Sequence, residues 1–146
     1  MSAIRRLDHV AIVVRDTDAA LERFAGEYGL PVIASEEIER PPVRLTYLDC
    51  GNAYIQLVEP LDDESPIAAF LATEGEGLHH ICFGVDDVEA GATMLASDGA
   101  PPAAIGSGRG RPSAFVSGEP PSGVRVEVTL FDREQDVDRV EGWLEG

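Results

Sequence analysis

Two histidines, a glutamine and a glutamate are the residues of this chain whose types and spacing could do chemistry together. His9 and His80 stand 71 residues apart, and so do Gln56 and Glu127. Each histidine is the third residue of an apolar run, Leu7-Asp8-His9-Val10-Ala11-Ile12-Val13-Val14 and Leu78-His79-His80-Ile81-Cys82-Phe83-Gly84-Val85. At the same offset Asp16 matches Asp87 and Ala19 matches Ala90, so the chain reads as a duplication. Two imidazoles, a carboxylate and an amide oxygen form a mixed nitrogen and oxygen set. Such a set suits one borderline divalent ion such as Co²⁺, Mn²⁺, Ni²⁺, Zn²⁺ or Fe²⁺. An octahedral ion with four protein ligands keeps two positions for two oxygens of a substrate, and acts on them as a Lewis acid. One strand histidine is more often a packed or surface residue than a ligand. The four residues in matching register carry the metal reading.

The elements that must position these residues follow from periodicity. Residues 5–14 alternate as a strand, with Leu7, His9, Ala11 and Val13 on one face and Asp8, Val10, Ile12 and Val14 on the other. Asp16 or Thr17 caps a helix whose stripe is Ala20, Leu21, Phe24, Ala25 and Tyr28, and Gly29 ends it. Strands are predicted at Pro31–Ser35, Val43–Asp49 and Tyr54–Val58, with a turn over Glu36–Pro42 and a hairpin at Gly51-Asn52. Ser65 and Pro66 open a short helix with Ile67, Phe70 and Leu71 inward. The second module repeats the order. A strand spans 78–86, Asp87 caps a helix over Val88–Ser97 with Val88, Ala92 and Leu95 inward, and Gly99 closes it. A weak strand follows at Pro102–Ile105, then strands at Ser113–Ser117 and Val124–Phe131. A terminal helix over Asp136–Leu144 docks through Val137, Val140, Trp143 and Leu144. The expectation is one α+β domain over 1–146: module one at 5–60, a connector at 61–77, module two at 78–131 and a C-terminal helix within 132–146.

Strand parity tests the set independently. Gln56 opposes Ile55 and Leu57, His80 opposes Ile81, Phe83 and Val85, and Glu127 opposes Val126, Val128 and Leu130. Each module therefore has one face for its helix and another carrying two polar ligands. Two such sheets would cup a central metal cavity. His79 has the other parity and reads as structural or as a support behind a ligand. Cys50 and Cys82 lack metal or redox spacing and read as small buried residues; Cys82 shares parity with His80. The glycine-rich segment Gly106–Pro112 reads in two ways, as a cradle in which Arg109 and Arg111 take phosphates or as a mobile surface loop.

The formal net charge is −16, and all 11 basic residues are arginines. That acidity argues against a nucleic-acid partner. No apolar run approaches a membrane span, and the start lacks the apolar core of a signal peptide, so a cytoplasmic protein is expected.

Several segments together resemble the methylmalonyl-CoA epimerases of the vicinal oxygen chelate superfamily, which includes glyoxalase I. They are Leu7–Val14, Ile55–Leu61, Asp63–Leu71, Gly75–Phe83 and Gly123–Glu127. The resemblance implies paired βαβββ modules and a metal held by His9, Gln56, His80 and Glu127. It also implies interconversion of the two epimers of methylmalonyl-CoA by 1,1-proton transfer through a metal-stabilised enolate, with Glu127 as one base. A small acyl-CoA substrate and a homodimer are implied too; no organic cofactor is. Two positions depart from the family's pattern. Its second glutamate, on the third strand, is matched by Leu45, and its His-Pro-Lys turn by Ser117–Pro120. The scaffold also hosts lactoylglutathione lyases, ring-cleaving dioxygenases and non-catalytic binding proteins, which stand as alternatives.

Overall fold

The computed structural model describes residues 3–97, 100 and 105–139. Eight strands, three α-helices and a 3-10 turn lie among them: β1 (Ile4–Val13), α1 (Thr17–Leu21, continued by a π-helical stretch at Glu22–Glu27), β2 (Val32–Glu39), β3 (Pro42–Asp49), β4 (Tyr54–Pro60), α2 (Pro66–Glu74), β5 (Gly77–Val85), α3 (Val88–Leu95), β6 (Gly106–Gly108), β7 (Arg111–Phe115), the 3-10 turn (Pro121–Gly123) and β8 (Val126–Leu130). The order β-α-β-β-β is present twice, as the repeat predicts. The compact units are cut differently from the expected modules. One is residues 10–79, and the other joins 1–9 to 80–146, so the boundaries fall inside β1 and β5.

In the unit of residues 10–79 the strand order is β2-β3-β4-β1. One face of this sheet buries Val14, Leu48 and Leu57 against Ala20, Leu21, Phe24 and Ala25 of α1. The other buries Ala11, Val13, Val43, Leu45, Tyr47 and Val58, and Ile67, Phe70 and Leu71 of α2 pack on it. Each fully buried aliphatic side chain contributes about 1.5–3 kcal/mol of transfer free energy. Asp16 and Ser65 cap α1 and α2 by accepting from Ala19 N and Ala68 N, each at 3.1 Å. Two expectations change here. Tyr28, predicted on the buried stripe, is 58% exposed. The helix widens before it, as the Tyr28 N to Arg23 O bond at 2.8 Å shows, and a five-residue span turns the ring off the stripe. The acidic stretch predicted as a turn continues β2 through Glu39, with Glu36 opposite Leu45, Glu37 opposite Arg44 and Ile38 opposite Val43. Ladder bonds to β3 and the Glu37–Arg44 pairing override the low strand preference of glutamate.

In the other unit the order is β1-β5-β8-β7-β6, with β5 and β8 parallel and β6-β7-β8 antiparallel. Val85, Val88, Ala92, Ala114 and Val128 form its core under α3, which Asp87 caps through Ala90 N at 2.9 Å. Of the predicted strand at Pro102–Ile105, residues 102–104 lie outside the described residues, and so does Gly99. The observed strand is β6, inside the segment expected as a loop. Residues 136–139 are not helical, and 140–146 lie outside the described residues. Val137, expected to dock, is 45% exposed, while its neighbour Asp136 is buried. An ion pair described below is the reason.

Candidate metal centre

Three of the four predicted ligands come together in the unit of residues 1–9 and 80–146. β5 supplies His80, β8 supplies Glu127, and the first half of β1 supplies His9. The Nε2 atoms of His80 and His9 lie 3.2 and 3.3 Å from the same oxygen, Glu127 Oε1. The two rings are 5.5 Å apart, edge to face. Both histidines are buried. One ion about 2.0–2.2 Å from each ligand atom spaces adjacent ligands at about 3 Å, so these separations and this donor set fit a divalent metal. The chemistry of the donors, rather than a pocket shape, carries that fit.

The electrostatics are those of a preassembled anion between two imidazoles. Burial pushes the Glu127 carboxyl up, but the hydrogen bonds and charges of His80 and His9 outweigh it and hold it far below the usual range. Burial likewise pushes the His9 imidazole down, and Asp8 and Glu127 together overcome it and raise it. Cys82, the register partner of Glu127, is fully buried. Burial pushes its thiol well above the ordinary range, helped by Glu127 and Asp8, so it stays protonated.

Gln56 belongs to the unit of residues 10–79. It is buried on β4 opposite Tyr47, and its Nε2 donates to Tyr47 Oη at 2.8 Å. Its Oε1 is buried with no hydrogen-bond partner among the described residues. An orphaned carbonyl oxygen of this kind is costly unless something binds it. Leu45 is an ordinary member of the apolar cluster on the same sheet. His79 lies against the Phe70 ring at 4.9 Å, a packing role as expected.

Sequence reasoning missed Phe115 and Asp8 beside the cluster, and the acids that Arg109 and Arg111 pair with. Phe115, opposite Glu127 on β7, sets its ring 4.9 Å from that of His80. Asp8, which parity placed on the face away from His9, turns its carboxylate back to His9 Nδ1 at 2.6 Å. Alternation fixes where Cβ points, not where a flexible carboxylate ends. Arg109 and Arg111 each pair with a buried acid. Arg109 donates to Asp8 at 2.6 Å, and Arg111 makes a two-pronged bond to Asp136 at 2.7 and 3.2 Å. The one signal available was composition. Two arginines amid glycines in so acidic a chain need anionic partners.

Residues 8–116 match the family model described as the Glyoxalase/Bleomycin resistance protein/Dioxygenase superfamily. The chain belongs to this superfamily. Within it the chain is 35% identical over 132 residues to the ethylmalonyl-CoA/methylmalonyl-CoA epimerase of Cereibacter sphaeroides, covering 86% of this chain and 97% of that one. Among solved structures, a variant of Streptomyces coelicolor methylmalonyl-CoA epimerase in complex with 2-nitronate-propionyl-CoA superposes with a TM-score of 0.81. It is 32% identical, covering 87% of this chain and 97% of that chain. The Mycobacterium tuberculosis methylmalonyl-CoA epimerase gives a TM-score of 0.82 at 29% identity, covering 92% and 93%. The glyoxalase-like α+β fold that the resemblance implies is therefore the superfamily's fold.

Proposed function

We propose that this superfamily member is a metal-dependent methylmalonyl-CoA epimerase, an isomerase that interconverts the two C2 epimers by 1,1-proton transfer. The observation that carries the reading is the convergence of His9, His80 and Glu127 on one point in a chain that spans 97% of an epimerase relative. His9, His80 and Glu127 would hold the metal, with Gln56 as fourth ligand on the strength of the repeat and of its orphaned oxygen. The metal, when bound, supplies Lewis-acid polarisation of the substrate's thioester and carboxylate oxygens; cobalt heads the candidates. Glu127, held as an anion, takes the C2 proton on a carboxylate oxygen. Inversion then needs a proton delivered to the opposite face of C2, and Leu45 has none to give. Glu36, the register partner of Leu45 on β2, is our candidate for that second base. A homodimer in the cytoplasm belongs to this reading. No helix among the described residues is long and apolar enough to cross a membrane.

The test follows the C2 hydrogen. Metal-loaded protein in heavy water should exchange it for deuterium, and a chelator should abolish the exchange. Glu36→Gln should slow inversion by about 10²-fold or more, the size of a lost acid–base group, while leaving exchange less affected. Absence of exchange with methylmalonyl, ethylmalonyl and malonyl thioesters alike would remove the epimerase assignment. The ligand role of Gln56 has its own measurement, chelator competition. Gln56→Ala should weaken metal binding by roughly tenfold or more, about the 1.4 kcal/mol or larger change expected on losing a direct ligand, and an unchanged affinity would leave the glutamine outside the metal's ligands.

A further inference from the structure

Behind His9 the structure holds a chain of buried charge that the reaction does not use. Asp8 is fully buried. Its Oδ2 lies 2.6 Å from His9 Nδ1 and accepts from Arg109 Nη2 at 2.6 Å. Arg111 Nη1 stands 3.9 Å from the other oxygen, close enough for charge but not for a hydrogen bond. Arg111 is anchored on Asp136, whose backbone oxygen accepts from Arg6 Nη1 at 2.6 Å.

The turn that delivers Arg109 is unusual. Gly108 pairs with Arg111, so Arg109 and Gly110 are a two-residue hairpin loop, with φ of 57° and 72°. Two successive positive φ values favour asparagine or glycine at both positions. An arginine at the first is set against the backbone's preference and serves through its side chain.

Resting on the metal reading above, we propose that Asp8 is a positioning residue for His9. It accepts a hydrogen bond from the protonated Nδ1 and so leaves the Nε2 lone pair for the metal, while the β6–β7 hairpin arginines hold it in place. An imidazole has two nitrogens, and the hydrogen bond at one decides what the other can do. His9 Nε2 is the nitrogen that faces Glu127. A carboxylate on Nδ1 selects that tautomer, fixes the ring plane and strengthens Nε2 as a donor. Arg109 bonds the Asp8 carboxylate and Arg111 stands beside it, fixing it in place, so the hairpin is coupled to a metal ligand.

Zinc, being diamagnetic, is the probe, used on the full chain. Asp8→Asn should raise the zinc Kd by about 10–100-fold in chelator competition. In zinc-loaded native protein the His9 ring proton should sit on Nδ1 and exchange slowly in ¹⁵N–¹H spectra. In Asp8→Asn that resonance should move and exchange faster. An unchanged Kd, or a weakened site with the resonance unmoved, would assign Asp8 to structure alone and overturn the proposal. Should Asp8→Asn fail to fold, the native protein decides. A protected proton on Nδ1 supports the proposal, and zinc on Nδ1 with the proton on Nε2 overturns it. Native protein that takes up no zinc at all overturns the metal reading, and the proposal falls with it.

Discussion

Replacing Arg111 by methionine is expected to destabilise the protein by about 3–5 kcal/mol, the cost of removing one partner of a buried ion pair. Arg111 and Asp136 are 8% and 4% exposed. The guanidinium holds both oxygens of Asp136 and also donates to Leu130 O at 3.3 Å and Gln135 Oε1 at 3.1 Å. Burial disfavours the charge on Arg111, yet the Asp136 hydrogen bonds more than compensate and raise its already high pKa. Methionine fills similar space but leaves the Asp136 carboxylate buried without its partner, and Asp8 loses a nearby positive charge. For a chain of this length the loss corresponds to a drop in Tm of roughly 10–15 °C. The comparison that gives the number meaning is Arg23→Met. Its partner Glu27 lies 3.2 Å away, but both side chains are more than 60% exposed. That pair should be worth less than about 1 kcal/mol. Paired apolar replacement of Arg111 and Asp136 should recover much of the loss, since removing both charges leaves none orphaned. Thermal unfolding of the three variants measures all of this. Equal shifts for Arg111→Met and Arg23→Met would show that the buried network carries no special weight.

The same network marks the limit of what the sequence reveals. Strand parity and a 71-residue repeat were enough to select His9, His80 and Glu127, because alternation ties a residue's face to its position and duplication ties two positions together. Three helix caps, at Asp16, Ser65 and Asp87, were legible for a similar reason, since a short polar side chain before an apolar stripe has few other uses. Asp8 was hidden because its carboxylate crosses back over its own strand, which no periodicity encodes. The partners of Arg109 and Arg111 were hidden because they are distant in sequence, Asp8 at 101 positions and Asp136 at 25. A run of glycines with arginines looks the same whether the arginines face solvent or a buried acid. β2 was misjudged for a third reason. Glu36, Glu37 and Glu39 are poor strand formers singly, and only pairing with β3 makes the segment extended. That error mattered, because the continued strand is what sets Glu36 across from Leu45.

Glu127→Gln should remove exchange at C2 and weaken metal binding together, and the two losses have different physical origins. The carboxylate is the point on which both Nε2 atoms converge, at 3.2 and 3.3 Å. A glutamine keeps the shape but carries neither the charge that a divalent ion needs nor a site that accepts a proton. Loss of the base alone is worth about 10²–10⁴-fold in rate. Proton competition runs the other way. Metal binding requires neutral imidazole, and in the metal-free protein Asp8 and Glu127 raise His9, overcoming the burial that would lower it. The metal of the native protein should therefore bind more tightly as pH rises through and above the ordinary imidazole range. Glu127→Gln removes one of the anions that raise His9, so its metal binding should become less dependent on pH in that range even as it weakens overall. Metal titrations at several pH values, alongside deuterium exchange at saturating metal, separate the effects. Exchange that returns in full once metal is saturating would make Glu127 a ligand only. Exchange still lost at full occupancy makes it the base as well.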